Sequence, residues 1–506
     1  MIARPRVNDL KLICSYSGKV LIGVGILMLV PIFTALVFGE WSALVDFLIG
    51  LGAALTIGCG LAWLGATTSK PAWIHGLVTA GVSWLAATAV AAIPYWLSGH
   101  FLSYLDCMFD VMSGLTTTGL TLIQDLDHVS MSINMWRHLL TFVGGQGIIV
   151  LALSFLLRDT AGSYSLYVGE AKDERLFPSV LHTAKAIWKI SLVYLAVGTV
   201  ALWIAGVAIG LAPVRALLHG LWVYMAAWST GGFAPMSQNI LYYHSLAYEC
   251  ITIVFFVAGS FNFALHHAVW SGNRKEVFRN IETVSFASSL TVLTIVMCWG
   301  LMKLRVYPGA VALFRKGFYQ LISGHTTTGF MTLYSRQLAL EWGDVALLAM
   351  IVAMLFGGSA CSTAGGFKGL RIGILYKAVV QEIRKLLKPR SAVFVQRFHY
   401  LEDHILGEQQ VRSAALIVIL YLVIFLIATL VGCLSGYPLL EAAFEAASVT
   451  GNVGLSVGVT SAAMPVAMKL TYIFNMWAGR LEFMAVLATA GFLAAAVRGR
   501  WARSRQ

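Results

Sequence analysis

Four short glycine-bearing stretches hold the residue types in this chain that can do chemistry. They read S-G-L-T-T-T-G-L-T from Ser113, W-S-T-G-G-F-A-P from Trp228, S-G-H-T-T-T-G-F-M from Ser323 and S-V-T-G-N-V-G-L-S from Ser448. They superpose on Gly119, Gly232, Gly329 and Gly454, each followed by a bulky apolar residue: Leu120, Phe233, Phe330 and Leu455. One T-T-G or T-G-G run alone is an ordinary turn or helix cap. Four in register, each behind a short apolar segment and ahead of a long one, point to a cation path. A cation crossing a membrane exchanges hydration oxygens for protein oxygens, and backbone carbonyls supply these without burying a fixed charge. Aiming successive carbonyls at one axis demands positive φ, which glycine adopts freely. The candidate ion-binding residues are Thr117, Thr118 and Gly119; Thr230, Gly231 and Gly232; Thr327, Thr328 and Gly329; and Asn452, Val453 and Gly454. The apolar residue behind each glycine is expected to anchor its loop.

The elements that must position these loops follow from apolar run lengths. Segments near 104–114, 217–228, 312–324 and 438–448 are too short to cross a bilayer, which takes roughly 20 helical residues. A half-length helix followed by irregular polar backbone fits a re-entrant loop lining water or buried in protein. Ten longer runs are candidate spans: 18–38, 43–66, 71–97, 132–157, 183–210, 243–270, 281–305, 341–378, 410–434 and 465–497. The run 341–378 is interrupted by G-G-S-A-C-S-T-A-G-G from Gly357, so a broken helix is expected there.

Composition agrees. Of 506 residues 58% are hydrophobic and 11% charged, with mean hydropathy +0.79; a soluble domain is about a quarter charged. The first run, near Val20, is too long for a cleaved signal peptide and reads as a retained helix. Seven cysteines are scattered without C-x-x-C or metal-ligand spacing and read as small apolar fillers. The net charge of +12 is explained by location. With the N-terminus inside, 26 of the 35 basic residues fall on the inner side and 8 on the outer, with Arg480 inside a span. That asymmetry places both termini in the cytoplasm and leaves no role for nucleic acid. Eleven acidic residues fall outside: Glu40, Asp46, Asp106, Asp110, Asp125, Asp127, Glu249, Glu341, Asp344, Glu441 and Glu445. They form either a cation-concentrating mouth or a plain surplus of solvated carboxylates.

The four loops, F-V-G-G-Q-G-I-I-V-L-A from Phe142, G-G-S-A-C-S-T-A-G-G-F-K-G-L-R from Gly357 and G-R-L-E from Gly479 together resemble the Trk/Ktr/HKT superfamily of potassium transporters, most closely its bacterial Trk-type membrane subunit. The likeness covers nearly the whole chain. It implies an all-α polytopic membrane protein with four helix–pore-helix–helix repeats around one pore: an extra helix pair over 1–66, then repeats over 67–160, 161–275, 276–400 and 401–506. It implies potassium uptake across the cell inner membrane through a gated filter, with Gly119, where sodium-transporting members have serine, arguing for potassium. Gly357, Gly358, Ser359, Ala360, Cys361, Ser362, Thr363, Ala364, Gly365 and Gly366 would form a gating loop below the filter; the alternative is a mere kink. Related chains often have three glycines where Ala364, Gly365 and Gly366 stand. Arg480 would be a pore barrier holding loop carbonyls; the alternative is a local pair with Glu482. The resemblance also implies potassium as the transported ion, no covalently bound cofactor, a homodimer and a cytoplasmic TrkA-like ring of nucleotide-binding regulatory subunits. The densest basic run, Lys368 to Arg412, suits such a partner or anionic lipid. Channel-like passage and proton or sodium symport both stay open.

Other residues read more plainly. Lys368 is expected at the cytoplasmic edge. His266 and His267 end a span as interfacial histidines, and His325 is placed to bond the backbone of the third loop. Trp136, Trp228 and Trp342 are packing or interface aromatics. No nucleophile with a base, carboxylate pair or metal set stands in or near the spans, which argues against an enzyme.

Overall fold

The structure is a computed structural model that describes residues 6–69, 72–147, 180–387 and 395–503. Parts of the span 132–157, of the motif from Phe142, and of the basic runs around Lys70, Arg158 to Lys189 and Arg384 to Arg390 lie outside the described residues.

Among the described residues, six helical stretches are long and apolar enough to cross a membrane: Val7–Phe38, Trp41–Leu64, Trp73–Leu97, His182–Ala208, Ile281–Lys303 and Glu408–Leu434. Their outward faces stay apolar, with Phe33, Trp63, Ile295 and Leu434 all more than half exposed. So much exposed apolar surface suits a lipid environment rather than water. Two of the expected spans are not single rods. The run 243–270 is Leu246–Gly259 and Phe263–Trp270, bent by 100°, and 465–497 is Val466–Arg480 and Met484–Val497, bent by 114°. The first bend ends at Asn262, whose side chain caps the next helix by accepting from Ala264 N–H at 2.7 Å. The second is made by Glu482 and Phe483, both at positive φ (47° and 66°). The expected break in 341–378 is present, between Gly343–Phe356 and Gly369–Leu386.

These breaks follow one rule. The helices behind the four loops end 26 or 27 residues after a loop glycine: Gln146 after Gly119, Gly259 after Gly232, Phe356 after Gly329 and Arg480 after Gly454. Backbone that leaves a helix at membrane depth survives only where protein or water satisfies it, so four helix ends at matching positions imply a shared polar centre.

Four short helices precede the glycines: Tyr104–Leu115, Pro213–Trp228, Leu313–His325 (a π-helical turn over Leu313–Phe318, then α-helix) and Leu439–Thr450. Helices Met131–Gln146, Leu246–Gly259, Gly343–Phe356 and Val466–Arg480 each pack on the next short helix in chain order, the last returning to the first. The elements therefore close into a ring. The N-terminal helices pack outside it, where Glu40 caps Met131–Gln146 by accepting from Met131 N–H (2.6 Å) and Ser132 N–H (2.9 Å). A carboxylate at a helix N-terminus satisfies free donors and complements the dipole.

Among the described residues the fold is all-α but for one hairpin that the sequence analysis did not foresee. β1 (Arg397–Tyr400) and β2 (Glu402–Ile405) pair antiparallel, Arg397 opposite Ile405.

The ring is closed between its first and last parts by a buried ion pair, Asp106 to Lys469 at 2.6 Å. Removing one partner of such a pair strands a charge in low dielectric. Asp106→Ala should cost about 3–5 kcal/mol in thermal unfolding in detergent, and the double variant Asp106→Leu/Lys469→Met should recover most of it.

Candidate functional site

Each short helix ends in one capping pattern. The residue before the glycine donates its N–H to the carbonyl five residues back: Thr118 to Ser113 (2.7 Å), and Gly231 to Ala226, Thr328 to Ser323 and Val453 to Ser448 (all 2.8 Å). The residue before that is left-handed: Thr117, Thr230, Thr327 and Asn452 have φ of 58°, 50°, 56° and 54°. This left-handed C-terminal position normally takes glycine or asparagine. A β-branched threonine there is strained, so surrounding contacts must hold it.

The glycines follow, also at positive φ: 87°, 63°, 86° and 95° for Gly119, Gly232, Gly329 and Gly454. A β-carbon on Gly119 would lie within 3.0 Å of the Gly231 carbonyl oxygen. The same holds for Gly232 against Thr328, Gly329 against Val453 and Gly454 against Thr118. The contacts run in chain order and return to the start, so all twelve candidate ion-binding residues are brought together around one centre. Leu120, Phe233, Phe330 and Leu455 are all buried, as anchors should be.

Nine residues before three of the four glycines stands a brace that sequence reading missed. Glu445, fully buried, accepts from Val457 N–H (3.0 Å), Val459 N–H (3.2 Å), Ser456 Oγ (2.5 Å) and Thr460 Oγ1 (2.6 Å). At the matching position of the first loop, Asp110 accepts from Leu122 N–H at 3.2 Å and faces Arg137 at 3.6 Å. In the third, Gln320 donates to Thr332 Oγ1 at 3.0 Å. The second has Val223 there, and its exit is tied instead by Arg137 to the Ala234 carbonyl at 3.2 Å. The signal was a carboxylate inside a short apolar helix, which is costly unless it is hydrogen-bonded.

These contacts correct the reading of an acidic mouth. Asp106, Asp110, Glu249 and Glu445 are buried and engaged, Glu249 by Arg315 at 2.6 Å, so they are not mouth charges.

The segment 357–368 crosses the inner end of the four loops and touches every left-handed residue. Thr363 Oγ1 lies 3.1 Å from Thr230 Oγ1, and its carbonyl accepts from Thr117 Oγ1 at 3.4 Å. Gly365 N–H donates to Thr327 Oγ1 at 2.8 Å, and a β-carbon on Gly365 would meet Asn452 Cβ at 3.0 Å. The segment also bonds the helix breaks: Ser359 N–H to the Ser260 carbonyl (2.9 Å) and Thr363 Oγ1 to the Gly259 carbonyl (2.8 Å).

Arg480 sits in mid-span, at the fourth break, where Val466–Arg480 ends. It donates to the carbonyls of Thr363 (2.6 Å), Gly144 (2.7 Å) and Gly145 (2.9 Å), tying the crossing segment to the first break. Glu482 is engaged by Arg371, with Lys368 at 3.9 Å. Lys368 is not an edge residue: it is buried and donates to the Ala364 carbonyl. His325 turns from the loop backbone to Ser289 Oγ at 2.7 Å. His266 packs on Trp228 and bonds the Ala258 carbonyl at 2.9 Å. Trp136, Trp228 and Trp342 are buried packing residues.

A family model described as TrkH, cation transport protein, matches residues 43–494. The chain belongs to the TrkH family. It is 31% identical over 488 residues to an uncharacterized cation transporter of Methanocaldococcus jannaschii, covering 96% of each chain. It is 29% identical over 477 residues to the Trk system potassium uptake protein TrkG of Escherichia coli, covering 91% of this chain and 93% of that one. The crystal structure of the potassium transporter TrkH from Vibrio parahaemolyticus matches with a TM-score of 0.79 at 27% identity, over 94% of this chain and 97% of that one.

This TrkH-family member is thus a polytopic membrane cation transporter and not an enzyme. Its closed carbonyl ring can ligate a cation that has shed water, and its crossing segment occupies the space directly inside.

The brace yields a test on the family member itself. Glu445→Ala strands several donors and should cost about 3 kcal/mol or more in thermal unfolding. Glu441→Ala removes only a partly exposed pair with Arg336 and should stay within about 1 kcal/mol.

Proposed function

We propose that the protein takes up potassium across the cell inner membrane through a filter made by Thr117, Thr118, Gly119, Thr230, Gly231, Gly232, Thr327, Thr328, Gly329, Asn452, Val453 and Gly454. The observation that carries this reading is the ring in which each loop glycine abuts the next loop's carbonyl and the fourth returns to the first. The potassium-uptake relatives support the choice of ion. The division into a helix pair over 1–66 and repeats over 67–160, 161–275, 276–400 and 401–506 belongs to the same reading.

Gly357 to Gly366 are the gate and Arg480 its latch. The segment lies inside the ring, satisfied by hydrogen bonds to all sides yet ending in glycines at positive φ (72° at Gly357, 75° at Gly366). Such a loop can hold two discrete states. The latch ties it to the first break, and Lys368 and Glu482 steady its exit. The basic face is cytoplasmic, with both termini there. The exposed, basic end of Gly369–Leu386 suits a TrkA-like regulatory ring, and the membrane chain works as a homodimer.

The deciding experiment is flux in liposomes. Potassium flux that follows only its own electrochemical gradient supports a gated channel; flux driven by an imposed proton or sodium gradient shows coupling. A β-carbon at Gly119 collides with the second loop, so Gly119→Ser should lower the potassium-over-sodium ratio about tenfold, equal to about 1.4 kcal/mol of discrimination. An unchanged ratio refutes the filter assignment. Shortening 357–366 should raise flux and leave that ratio intact; unaltered flux would make the break a kink.

A further inference from the structure

The β1–β2 hairpin lies on the basic face and takes no part in the ion path. Its His399 is held between two carboxylates, Nδ1 at 2.7 Å from Asp403 Oδ1 and Nε2 at 2.9 Å from Glu276 Oε2. Glu276 also accepts from Leu401 N–H (3.1 Å) and Asn280 Nδ2 (3.1 Å). Asn280 caps the helix Ile281–Lys303, its Oδ1 accepting from Glu282 N–H at 3.0 Å. Glu282 reaches the crossing segment itself, accepting from Ala360 N–H at 2.6 Å. A line of hydrogen bonds, carried by side chains except where it enters Glu282 through its backbone N–H, therefore joins an imidazole on the hairpin to the backbone of the gate.

The geometry asks for a cation at His399. An imidazolium donates from both nitrogens, whereas a neutral ring has one N–H and turns a lone pair toward the other carboxylate. We propose that His399, Glu276 and Asp403 form a proton-sensing site for the gate: protonated His399 locks the hairpin onto Glu276, keeps Glu282 on Ala360 and holds the gate closed, and deprotonation releases it. This rests on the gating reading of 357–366.

The charges that face the site are Glu276 and Arg279 on the helix Glu276–Arg279, Asp403 on β2, and Arg397 on β1, which faces Asp403. Hydrogen bonds to Glu276 and then Asp403 hold the His399 pKa above its ordinary 6.5, against burial and Arg279. Burial pushes Glu276 up, but the bonds from His399 and Asn280 outweigh it and hold its carboxyl below the usual value. Asp403 is lowered, chiefly by His399. A histidine raised in the folded state contributes fully below 6.5 and loses its contribution as pH rises through the raised value. The lock thus opens as pH rises above 6.5, in the range where histidine switches operate.

The test uses the full chain in liposomes, with rubidium flux measured at a fixed gradient and equal pH on both sides, from about pH 6 to about pH 8.5. Wild-type flux should rise about threefold or more across the range. His399→Gln should be flat at the high level, and Asp403→Asn should keep the step but move it to lower pH. Hydrogen exchange of 357–366 at matched pH gives a readout that needs no conduction. At the acid end His399→Gln should exchange faster than wild type, and at the alkaline end the two should agree. Identical pH profiles for wild type and His399→Gln, in flux or in exchange, overturn the proposal. His399-dependent exchange with flux unaltered on shortening 357–366 would sink the gating reading alone; flux raised by that shortening with exchange indifferent to His399 would sink the sensor alone.

Discussion

Each loop glycine has a neighbouring loop's carbonyl oxygen where a side chain would stand, and the rest of the molecule is arranged to keep it so. Four backbones meet this closely only if each turns out of its helix by the same geometry. The repeated cap supplies that turn, at the cost of three threonines held left-handed. Their strain is offset from both sides. The hydroxyls of Thr117 and Thr230 bond the carbonyls behind them, and that of Thr327 accepts from Gly365. The crossing segment and the ring are therefore not independent parts, because one is the hydrogen-bonding environment of the other.

Buried charge in this chain serves mainly to hold backbone. Arg480 binds three carbonyls and Glu445 gathers two N–H groups and two hydroxyls, while the half-buried Glu40 caps a helix. In a bilayer an irregular backbone has no water to satisfy it, so a fold with four re-entrant loops and four helix breaks needs such side chains at each. Asp106 with Lys469 and Asp110 with Arg137 extend the logic by joining parts of the ring across its seams. An intramembrane charge is a functional-site hypothesis by default; here Arg480, Lys368 and Glu282 all bond the crossing segment.

Much of the plan was legible in the sequence because it is written locally. Span length, the four glycine registers and the glycine-rich break at Gly357 depend on residues within a few positions of one another. What was misread involved partners far along the chain. Lys368 has the sequence context of an edge residue, and only the packing that buries it 3.9 Å from Glu482 takes it off that edge. The acidic count at the mouth failed because burial, not composition, decides whether Asp110 or Glu445 meets water. The breaks at Ser260 and Glu482 hid inside apolar runs, since neither contains the glycine cluster that marks Gly357.

The amino-acid sequence by itself determined that the chain spans a membrane and carries four equivalent glycine loops, because hydrophobic length and glycine register are properties of short windows. It also placed the break at Gly357 and singled out Arg480. Only the tertiary structure decided that the loops close in order, that all four inner helices end 26 or 27 residues after their glycines, and that Arg480 latches Thr363 to Gly144 and Gly145. Those are contacts between residues up to several hundred positions apart, and no local pattern encodes which distant carbonyl will lie within 3 Å of which donor.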